Sequence, residues 1–298
     1  MGCYSVLCKL DDVPQKIGIM KVVKTVEEMQ QTARECRMSG RRIALVPTMG
    51  ALHEGHLSLI DQAKESADLV IVSIYVNPTQ FAPNEDLRSY PRDLERDLEI
   101  CETKGVHFVF TPTDEQMYPE DHTFFVDEEK LSKTLCGESR QNHFRGVSTI
   151  CTKLFNITCP DFVVVGMKDA QQAILLNRLI RNMNFPIELI VGPTVRDEDG
   201  LALSSRNRGL TSGQREEALK IYKSLMAAQA LVDKGITNTD RLKAEVTNHL
   251  DSLRLRVIYV KTVNLETLQE IREIVPGQTL LAVAVWVDQV RLIDNLVL

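Results

Sequence analysis

No stretch of the chain approaches the roughly 18 to 20 consecutive apolar residues that a membrane-spanning helix requires. The seven cysteines are odd in number and include no C-x-x-C pair, which fits neither a disulfide framework nor a structural zinc site. A basic balance is also missing, because the formal net charge is -6, and such a protein repels a phosphate backbone. We therefore expect a cytoplasmic protein with reduced thiols that binds neither membranes nor nucleic acid.

The N-terminal segment lacks the features of a targeting signal. Met1 and Gly2 could open a myristoylation signal, but that motif requires Ser or Thr at the position of Val6. The segment has no apolar secretory core and no arginine, and Asp11 and Asp12 disagree with a transit peptide. We expect residues 1–19 to form a flexible extension before the folded chain.

From Met20 onward, short apolar runs alternate with helical patterns. Continuous apolar runs such as LVIVSIYV are typical of strands that are buried on both faces of a parallel sheet. This alternation predicts an α/β fold in which residues 20–194 form a Rossmann-like, doubly wound sheet. The predicted strands are Met20–Val23, Ile43–Val46, Leu69–Val76, Val106–Phe110, Phe162–Val165 and Ile187–Val191. The predicted helices follow Thr25 and His53 and cover Leu94–Lys104, Val147–Ile157 and Lys168–Asn184.

The pattern changes after Arg206. Two helical segments, Ser212–Lys234 and Thr239–Leu253, precede three strand-like runs. This order predicts a smaller C-terminal α+β domain over residues 195–298, with the junction near Thr194. The strand-like runs are Val257–Thr262, Leu280–Val287 and Val290–Ile293.

The candidate catalytic segment follows the second predicted strand and reads PTMGALHEGH over residues 47–56. Ligands of doubly wound sheets bind beyond the carboxyl ends of strands, where helix N-termini offer free N–H groups to phosphate. His53 and His56 are spaced to lie on one face of the following helix. Zinc ligation or a surface position would also explain such a pair. The H-E-x-x-H metalloprotease motif is excluded, because its second histidine would stand at Leu57.

This segment carries a resemblance to a known family. An H-x-G-H element between a strand and a helix is similar to the signature of the nucleotidyltransferase superfamily that includes class I aminoacyl-tRNA synthetases. The longer string VPTMGALHEGH resembles the pantothenate synthetase family within that superfamily. Further family blocks follow in the family's order, including HFRGVST over residues 143–149 and RLIDN over residues 291–295.

The resemblance implies a site for ATP. Lys168 and Asp169 of the block GMKDAQQ contact ATP in the family, whereas Met167 stands where the family often has a polar residue. The loop LALSSRN resembles the mobile second signature of the superfamily, although on its own it would be interpreted as a surface loop. Its hydroxyls and guanidinium suit phosphate oxygens. The implied ATP-binding residues are Met49, Gly50, His53, Gly55, His56, Gly166, Lys168, Asp169, Val195, Leu203, Ser204, Ser205 and Arg206.

Amide side chains mark the implied pocket for a hydroxy acid. In the family, the Asn and Gln of VNPTQF and the second Gln of GMKDAQQ line the pocket for pantoate, and here these are Asn77, Gln80 and Gln172. An amide can both donate and accept hydrogen bonds at fixed positions, which suits a hydroxy acid. Without the resemblance, Asn77-Pro78 would be interpreted as a simple turn.

The resemblance also implies magnesium. This ion neutralises a triphosphate and commonly binds through one or two carboxylates together with phosphate oxygens. In the family block that begins at Tyr90, a downstream acidic residue helps to hold the metal, and here that residue is Asp97. A solvated position on a charged helix would explain the same residue.

The implied activity is an ATP-dependent ligation. Pantoate is activated as an acyl adenylate, and β-alanine then displaces AMP to give pantothenate. The implied catalytic residues are His56, His53, Lys168 and Arg206, with His56 as the proton donor of the family. Family members are typically homodimers, so we expect a homodimer. Two alternatives stay open, namely another nucleotidyltransferase of the H-x-G-H type or a non-catalytic nucleotide-sensing relative.

Overall fold

The computed structural model describes residues 20–83 and 85–298, so the expected flexible extension over residues 1–19 lies outside the described part. Within that part, the strands of the first domain are β1 Lys21–Val23, β2 Ile43–Thr48, β3 Leu69–Ile74, β4 Phe108–Phe110, β5 Phe162–Gly166 and β6 Glu188–Gly192. They form a parallel sheet in the order β1-β4-β3-β2-β5-β6. The predicted Rossmann-like, doubly wound sheet is therefore confirmed.

Helices cover both faces of this sheet, because its central strands are apolar on both sides. Along the first domain run α1 Val26–Met38, α2 Glu54–Ser66, α3 Leu94–Thr103, α4 Asp114–Met117, α5 Cys136–Ser139, α6 His143–Thr158 and α7 Ala170–Asn182. Ile43 and Leu45 of β2 pack in the cluster formed with α1, α6 and α7. Ala44 and Val46 point to the opposite face and pack in the cluster formed with α2 and α3.

The second domain is a small α+β unit, as predicted. Its elements are α8 Ser212–Val232, α9 Thr239–His249, β7 Leu255–Asn264, β8 Thr279–Val287 and β9 Val290–Val297. The three strands pair antiparallel in the order β7-β8-β9. Leu281 and Val283 of β8 pack with Ile221 and Leu225 of α8, so one face of the sheet is covered by helices.

The other face of β7-β8-β9 packs on the first domain. Leu280 and Ala282 of β8 share a buried cluster with Leu135 and Ala170. Period-two alternation along β8 thus lets a single strand serve the core of its own domain and the contact between domains. Burial at this contact fixes the position of the second domain beside the carboxyl edge of the parallel sheet.

Several element bounds differ from the prediction. α6 begins at His143 instead of Val147, because its first turn is stabilised by tertiary packing and carries little apolar periodicity. β3 ends at Ile74, before the polar Asn77 that leaves the sheet. β9 continues to Val297, since Asp294 and Asn295 within it have partners in other parts of the chain and tolerate burial there.

Candidate active site

An open cleft lies at the carboxyl edge of the parallel sheet. The strand order reverses between β2 and β5, because β3 lies on one side of this pair and β6 on the other. Such switch points are the usual ligand sites of doubly wound sheets. With the open space at its mouth, the cleft measures about 1390 Å³.

The loop between β2 and α2 is held in place by Asp97. Gly50 has a φ of +80°, in the left-handed region that favours glycine, and a Cβ there would lie 2.8 Å from Asp97 Oδ2. The Asp97 carboxylate accepts the backbone N–H of Ala51 at 2.7 Å and that of Leu52 at 2.8 Å. These two bonds fix the path of the chain into His53.

His53 and His56 lie side by side at the start of α2, with ring centroids 4.1 Å apart. The backbone N–H of His53 donates to Nδ1 of His56 at 3.3 Å. A neutral ring that accepts at Nδ1 carries its proton on Nε2, so His56 is a donor there. Burial and the His53 ring lower the pKa of His56 to about 3. Burial and the charge of Lys168 lower the pKa of His53 to about 4, so both rings are neutral near pH 7.

Lys168 and Asp169 follow β5 directly. Their side chains lie 3.6 Å apart, measured from Nζ to Oδ2. Desolvation in the cleft acts to raise the pKa of Asp169, but the charges of Lys168 and Arg206 outweigh it, and the pKa is lowered. Asn295 donates from Nδ2 to the carbonyl oxygens of Met167 and Lys168 at 2.9 and 3.0 Å. The RLIDN block thus supports the segment that carries Lys168.

The loop over residues 203–206, between β6 and α8, also reaches the cleft. The hydroxyls of Tyr90 and Ser205 lie 3.0 Å apart and share a hydrogen bond. Arg206 donates from Nε and Nη2 to the two carboxylate oxygens of Asp86. Contacts from the β3–α3 segment therefore hold the loop against the first domain.

The amide groups of VNPTQF have different partners. Asn77 is buried, and its Oδ1 accepts from the hydroxyl of Tyr118 at 2.8 Å while its Nδ2 donates to Gln80 Oε1 at 3.1 Å. Gln80 keeps its Nε2 3.0 Å from the sulfur of Met49, which lines the cleft. The Asn77 amide thus orients Gln80, and the NH₂ group of Gln80 faces the cleft.

The two glutamines of GMKDAQQ also have different surroundings. Gln171 donates from Nε2 to the carbonyl oxygens of Leu131 and Thr134 at 2.8 and 2.7 Å, and its Oε1 accepts from the N–H of Cys136 at 2.9 Å. Gln172 lines the cleft instead. The second glutamine, which the resemblance assigns to the pantoate pocket, is thus the one that lines this cleft.

Most of the predicted site residues come together in this single cleft. Its walls include Met49, His53, Gly55, His56, Asn77, Gln80, Gly166, Lys168, Asp169, Gln172, Val195, Leu203, Ser204, Ser205 and Arg206. Gly50 and Asp97 do not line it. Asp97 is buried behind the loop that it holds, so the residue expected to bind magnesium is placed outside the cleft.

The lining residues that the sequence did not single out as site residues include Tyr90, Arg140 and His143. Tyr90 and His143 belong to sequence blocks that resemble the family, and this resemblance could have marked them as site residues. Arg140 stands in a segment without apolar periodicity. Only its contacts with Glu85 and His143 mark it as part of the site.

A magnesium ion would find few carboxylates in the cleft. Among the described residues that line it, Asp169 is the only Asp or Glu. No group of three or more His, Cys, Asp and Glu side chains within the described chain is arranged to hold a metal. Mg²⁺ commonly binds through one or two carboxylates and otherwise through phosphate and water, so a single carboxylate fits an ion that arrives with a nucleotide.

Comparisons with known sequences agree with this arrangement. The family model described as pantoate-beta-alanine ligase matches residues 21–297. A curated pantothenate synthetase of Fervidobacterium nodosum is 48% identical over 279 residues, which cover 94% of this chain and 99% of the relative. A pantothenate synthetase of Thermotoga neapolitana is 49% identical over 280 residues, covering 94% of this chain and 100% of the relative.

Solved structures agree as well. The chain superimposes on the crystal structure of pantothenate synthetase from Thermus thermophilus with a TM-score of 0.88 and 37% identity, covering 93% of this chain and 99% of the other. The pantoate-beta-alanine ligase from Francisella tularensis, solved with β,γ-ATP and β-alanine, gives a TM-score of 0.77 and 33% identity. That match covers 94% of this chain and 98% of the other.

Proposed function

The chain belongs to the pantoate–β-alanine ligase family, and we propose that its cleft performs the family's reaction with the residues that line it. The enzyme is a ligase that forms the amide bond between pantoate and β-alanine. ATP activates pantoate as pantoyl adenylate, and the products are pantothenate, AMP and pyrophosphate. The convergence of His53, His56, Lys168, Arg206 and Gln172 on one cleft is the observation that carries this conclusion.

In the first step, two negatively charged groups must approach each other. A carboxylate oxygen of pantoate attacks the α-phosphorus of ATP, and the bond between that phosphorus and the bridging oxygen breaks to release pyrophosphate. Such chemistry requires positioning and electrostatic stabilisation and needs no covalent nucleophile. Lys168 and Arg206 supply positive charge, and the hydroxyls of Ser204 and Ser205 supply neutral donors to the phosphate oxygens.

His53 and His56 act in this step as neutral hydrogen-bond donors. Their lowered pKa values, about 4 and about 3, keep the rings uncharged at neutral pH. Nε2 of His56 carries the proton, because its Nδ1 accepts from the backbone. Nδ1 of His53 is buried without a protein partner in the described part of the chain. This supports a ligand as its partner, because buried polar atoms are normally hydrogen-bonded.

Pantoate occupies the region between Gln80 and Gln172. Both amides line the cleft near the strand ends that carry the histidines and Lys168. Hydrogen bonds from two fixed amides orient the hydroxy acid, so that its carboxylate can approach the α-phosphate in line. Asn77 contributes indirectly, through its bond to Gln80.

The second step forms the amide. The amine nitrogen of β-alanine attacks the activated carbonyl carbon, the bond from that carbon to the oxygen of AMP breaks, and the amine loses a proton. The mixed anhydride would hydrolyse in water, so the site must exclude it. The loop over residues 203–206 forms part of the cleft wall and serves this purpose in our proposal.

Magnesium accompanies ATP in this proposal. The ion would neutralise the triphosphate and would be held by phosphate oxygens and water, with Asp169 as the carboxylate within the cleft. When bound, it lowers the charge that the carboxylate of pantoate must approach. Lys168 stays beside Asp169 and orients that carboxylate.

We further propose that the enzyme is a cytoplasmic homodimer, as members of the family typically are. In the described part of the chain, every helix is too short or too polar to cross a bilayer. Sedimentation of the purified protein tests the dimer. A homodimer should have about twice the monomer mass of 33.6 kDa.

Formation of AMP tests the function. Incubation with ATP, Mg²⁺, pantoate and β-alanine should give AMP and pantothenate, and leaving out pantoate or β-alanine should abolish pantothenate. Exchange of labelled pyrophosphate into ATP should require pantoate but not β-alanine, because it reports the adenylate step alone. Exchange in the absence of pantoate, or pantothenate formation without AMP, would contradict the proposed mechanism.

A further inference from the structure

A chain of hydrogen bonds runs behind Gln80. The carboxylate of Glu85 accepts from Nε and Nη2 of Arg140 at 2.6 and 2.7 Å. Nη1 of Arg140 lies 2.9 Å from Nε2 of His143, and Nδ1 of His143 lies 2.9 Å from the carbonyl oxygen of Gln80. Three side chains and one backbone carbonyl are thus linked from the β3–α3 segment to the proposed pantoate pocket.

The direction of these bonds is fixed by Arg140. A guanidinium has only donors, so Nε2 of His143 must be the acceptor. The proton of the neutral ring therefore sits on Nδ1, and Nδ1 donates to the carbonyl of Gln80. Burial and the charge of Arg140 lower the pKa of His143 to about 3, so the ring keeps this form over the whole range in which the enzyme would work.

These groups are enclosed, unlike a surface ion pair. The side chains of Arg140 and Glu85 are 11% and 15% exposed, and His143 is 8% exposed. Bidentate pairs in such surroundings hold their geometry more firmly than pairs in water. Arg140 therefore serves as a rigid support for the His143 ring.

The backbone beside Gln80 leaves little room for movement. A Cβ placed on Gly146 of α6 would lie 2.5 Å from the carbonyl oxygen of Thr79 and 2.6 Å from the N–H nitrogen of Gln80. The first turn of α6 thus lies directly against the segment Pro78–Gln80. The His143 bond and this close packing together determine where the Gln80 amide points.

We propose that Glu85, Arg140 and His143 are positioning residues that fix Gln80 for the binding of the hydroxy acid. This inference rests on the proposed role of Gln80 in holding pantoate. His143 acts through the backbone carbonyl of Gln80, and Arg140 and Glu85 act by holding His143 in one tautomer and orientation. If these residues no longer hold Gln80 in place, pantoate binding weakens and ATP binding stays nearly unchanged.

Two substitutions of His143 separate positioning from simple folding. His143→Leu removes both ring nitrogens, so we expect the KM for pantoate to rise about ten-fold, with the KM for ATP within about two-fold of the wild type. His143→Asn retains a donor near the position of Nδ1 and should restore the pantoate KM to within about two-fold of the wild type. Equal rises in both KM values for His143→Leu, or no recovery in His143→Asn, would overturn the inference.

A double-mutant cycle tests whether the effect passes through Gln80. Gln80→Ala should raise the KM for pantoate on its own. Adding His143→Leu to that variant should raise it by less than about two-fold, because the group to be positioned is gone. Independent, multiplicative effects of the two substitutions would show that His143 does not act through Gln80.

His107 provides a matched control. Its Nδ1 accepts from the backbone N–H of Val70 at 3.1 Å, at the opposite end of β3 from the cleft. His107→Leu should leave the KM for pantoate unchanged, and a ten-fold rise would assign the effect to general loosening of the sheet. A wild-type enzyme without pantoate-dependent AMP formation would contradict the proposed function itself. Failure of only the His143 tests leaves that function intact.

Discussion

Arg206 donates from Nε and Nη2 to both carboxylate oxygens of Asp86, at 2.8 and 3.0 Å, although 120 positions separate the two residues. The pair joins the loop between β6 and α8 to the segment between β3 and α3. Burial acts to raise the pKa of Asp86, but Arg206 outweighs it, and the pKa is lowered. Asp86 therefore stays charged and sets the plane of the guanidinium. In the proposed mechanism, Nη1 is the nitrogen that donates to a phosphate oxygen.

Removing the charge of Asp86 should slow turnover. In Asp86→Asn, Arg206 loses its bidentate partner and meets the transferring phosphoryl group in many orientations. We expect kcat to fall about ten-fold or more, as for the loss of one fixed donor, with the KM for pantoate nearly unchanged. Glu95→Gln, at an exposed position on α3, is the control and should keep the wild-type kcat. Wild-type turnover in Asp86→Asn would show that Arg206 needs no such support.

Substitution of the two adjacent glutamines of α7 should have different effects, one on stability and the other on pantoate binding. Gln171→Ala removes the side-chain hydrogen bonds to Leu131, Thr134 and Cys136 that hold the segment over residues 131–136. It should therefore lower the free energy of unfolding by about 1–3 kcal/mol. Gln172→Ala should leave that free energy unchanged and raise the KM for pantoate. Urea unfolding and steady-state kinetics on both variants would decide. Reversal of the two effects would contradict the assignment of Gln172 to the substrate.

Asp97→Asn tests whether this residue holds the loop or the metal. Asparagine offers one acceptor where the carboxylate offers two, so the N–H groups of Ala51 and Leu52 compete for it. We expect a loss of about 1–3 kcal/mol in the free energy of unfolding and a Mg²⁺ dependence of the rate that stays like that of the wild type. A Mg²⁺ requirement that increases ten-fold or more would restore Asp97 as a metal ligand.

The neutral histidines should make the fold sensitive to acid. The pKa of His56 falls from 6.5 to about 3 on folding and that of His53 to about 4. The unfolded chain therefore takes up protons first as the pH drops below about 6.5. The free energy of unfolding should then decrease, by at most about 1.4 kcal/mol per pH unit for each histidine. Urea unfolding between pH 7 and 5 measures this slope. His56→Gln should make it shallower, and an unchanged slope would contradict the lowered pKa.

Local patterns were sufficient to predict the order of elements. Continuous apolar runs such as Leu69–Ile74 form parallel strands because burial on both faces requires apolar side chains at every position. Capping residues such as Thr25, whose hydroxyl accepts from the N–H of Glu28, mark helix starts equally well. The start of α6 escaped prediction because it depends on contact with a segment that is distant in sequence.

The sequence by itself determined the fold class, the family and most of the residues that meet in the cleft, because these follow from periodicity and from contiguous motifs. Only the tertiary structure decided which of several similar side chains lines the cleft and which one stabilises the fold. In the folded chain, Gln172 lines the cleft whereas Gln171 bonds to backbone groups, and Asp97 lies behind the loop that it holds. Arg140 and Glu85 form hydrogen bonds next to the cleft. The physical reason is that a side chain's role depends on which donors and acceptors lie within about 3 Å of it, and the partners of these residues come from distant parts of the chain.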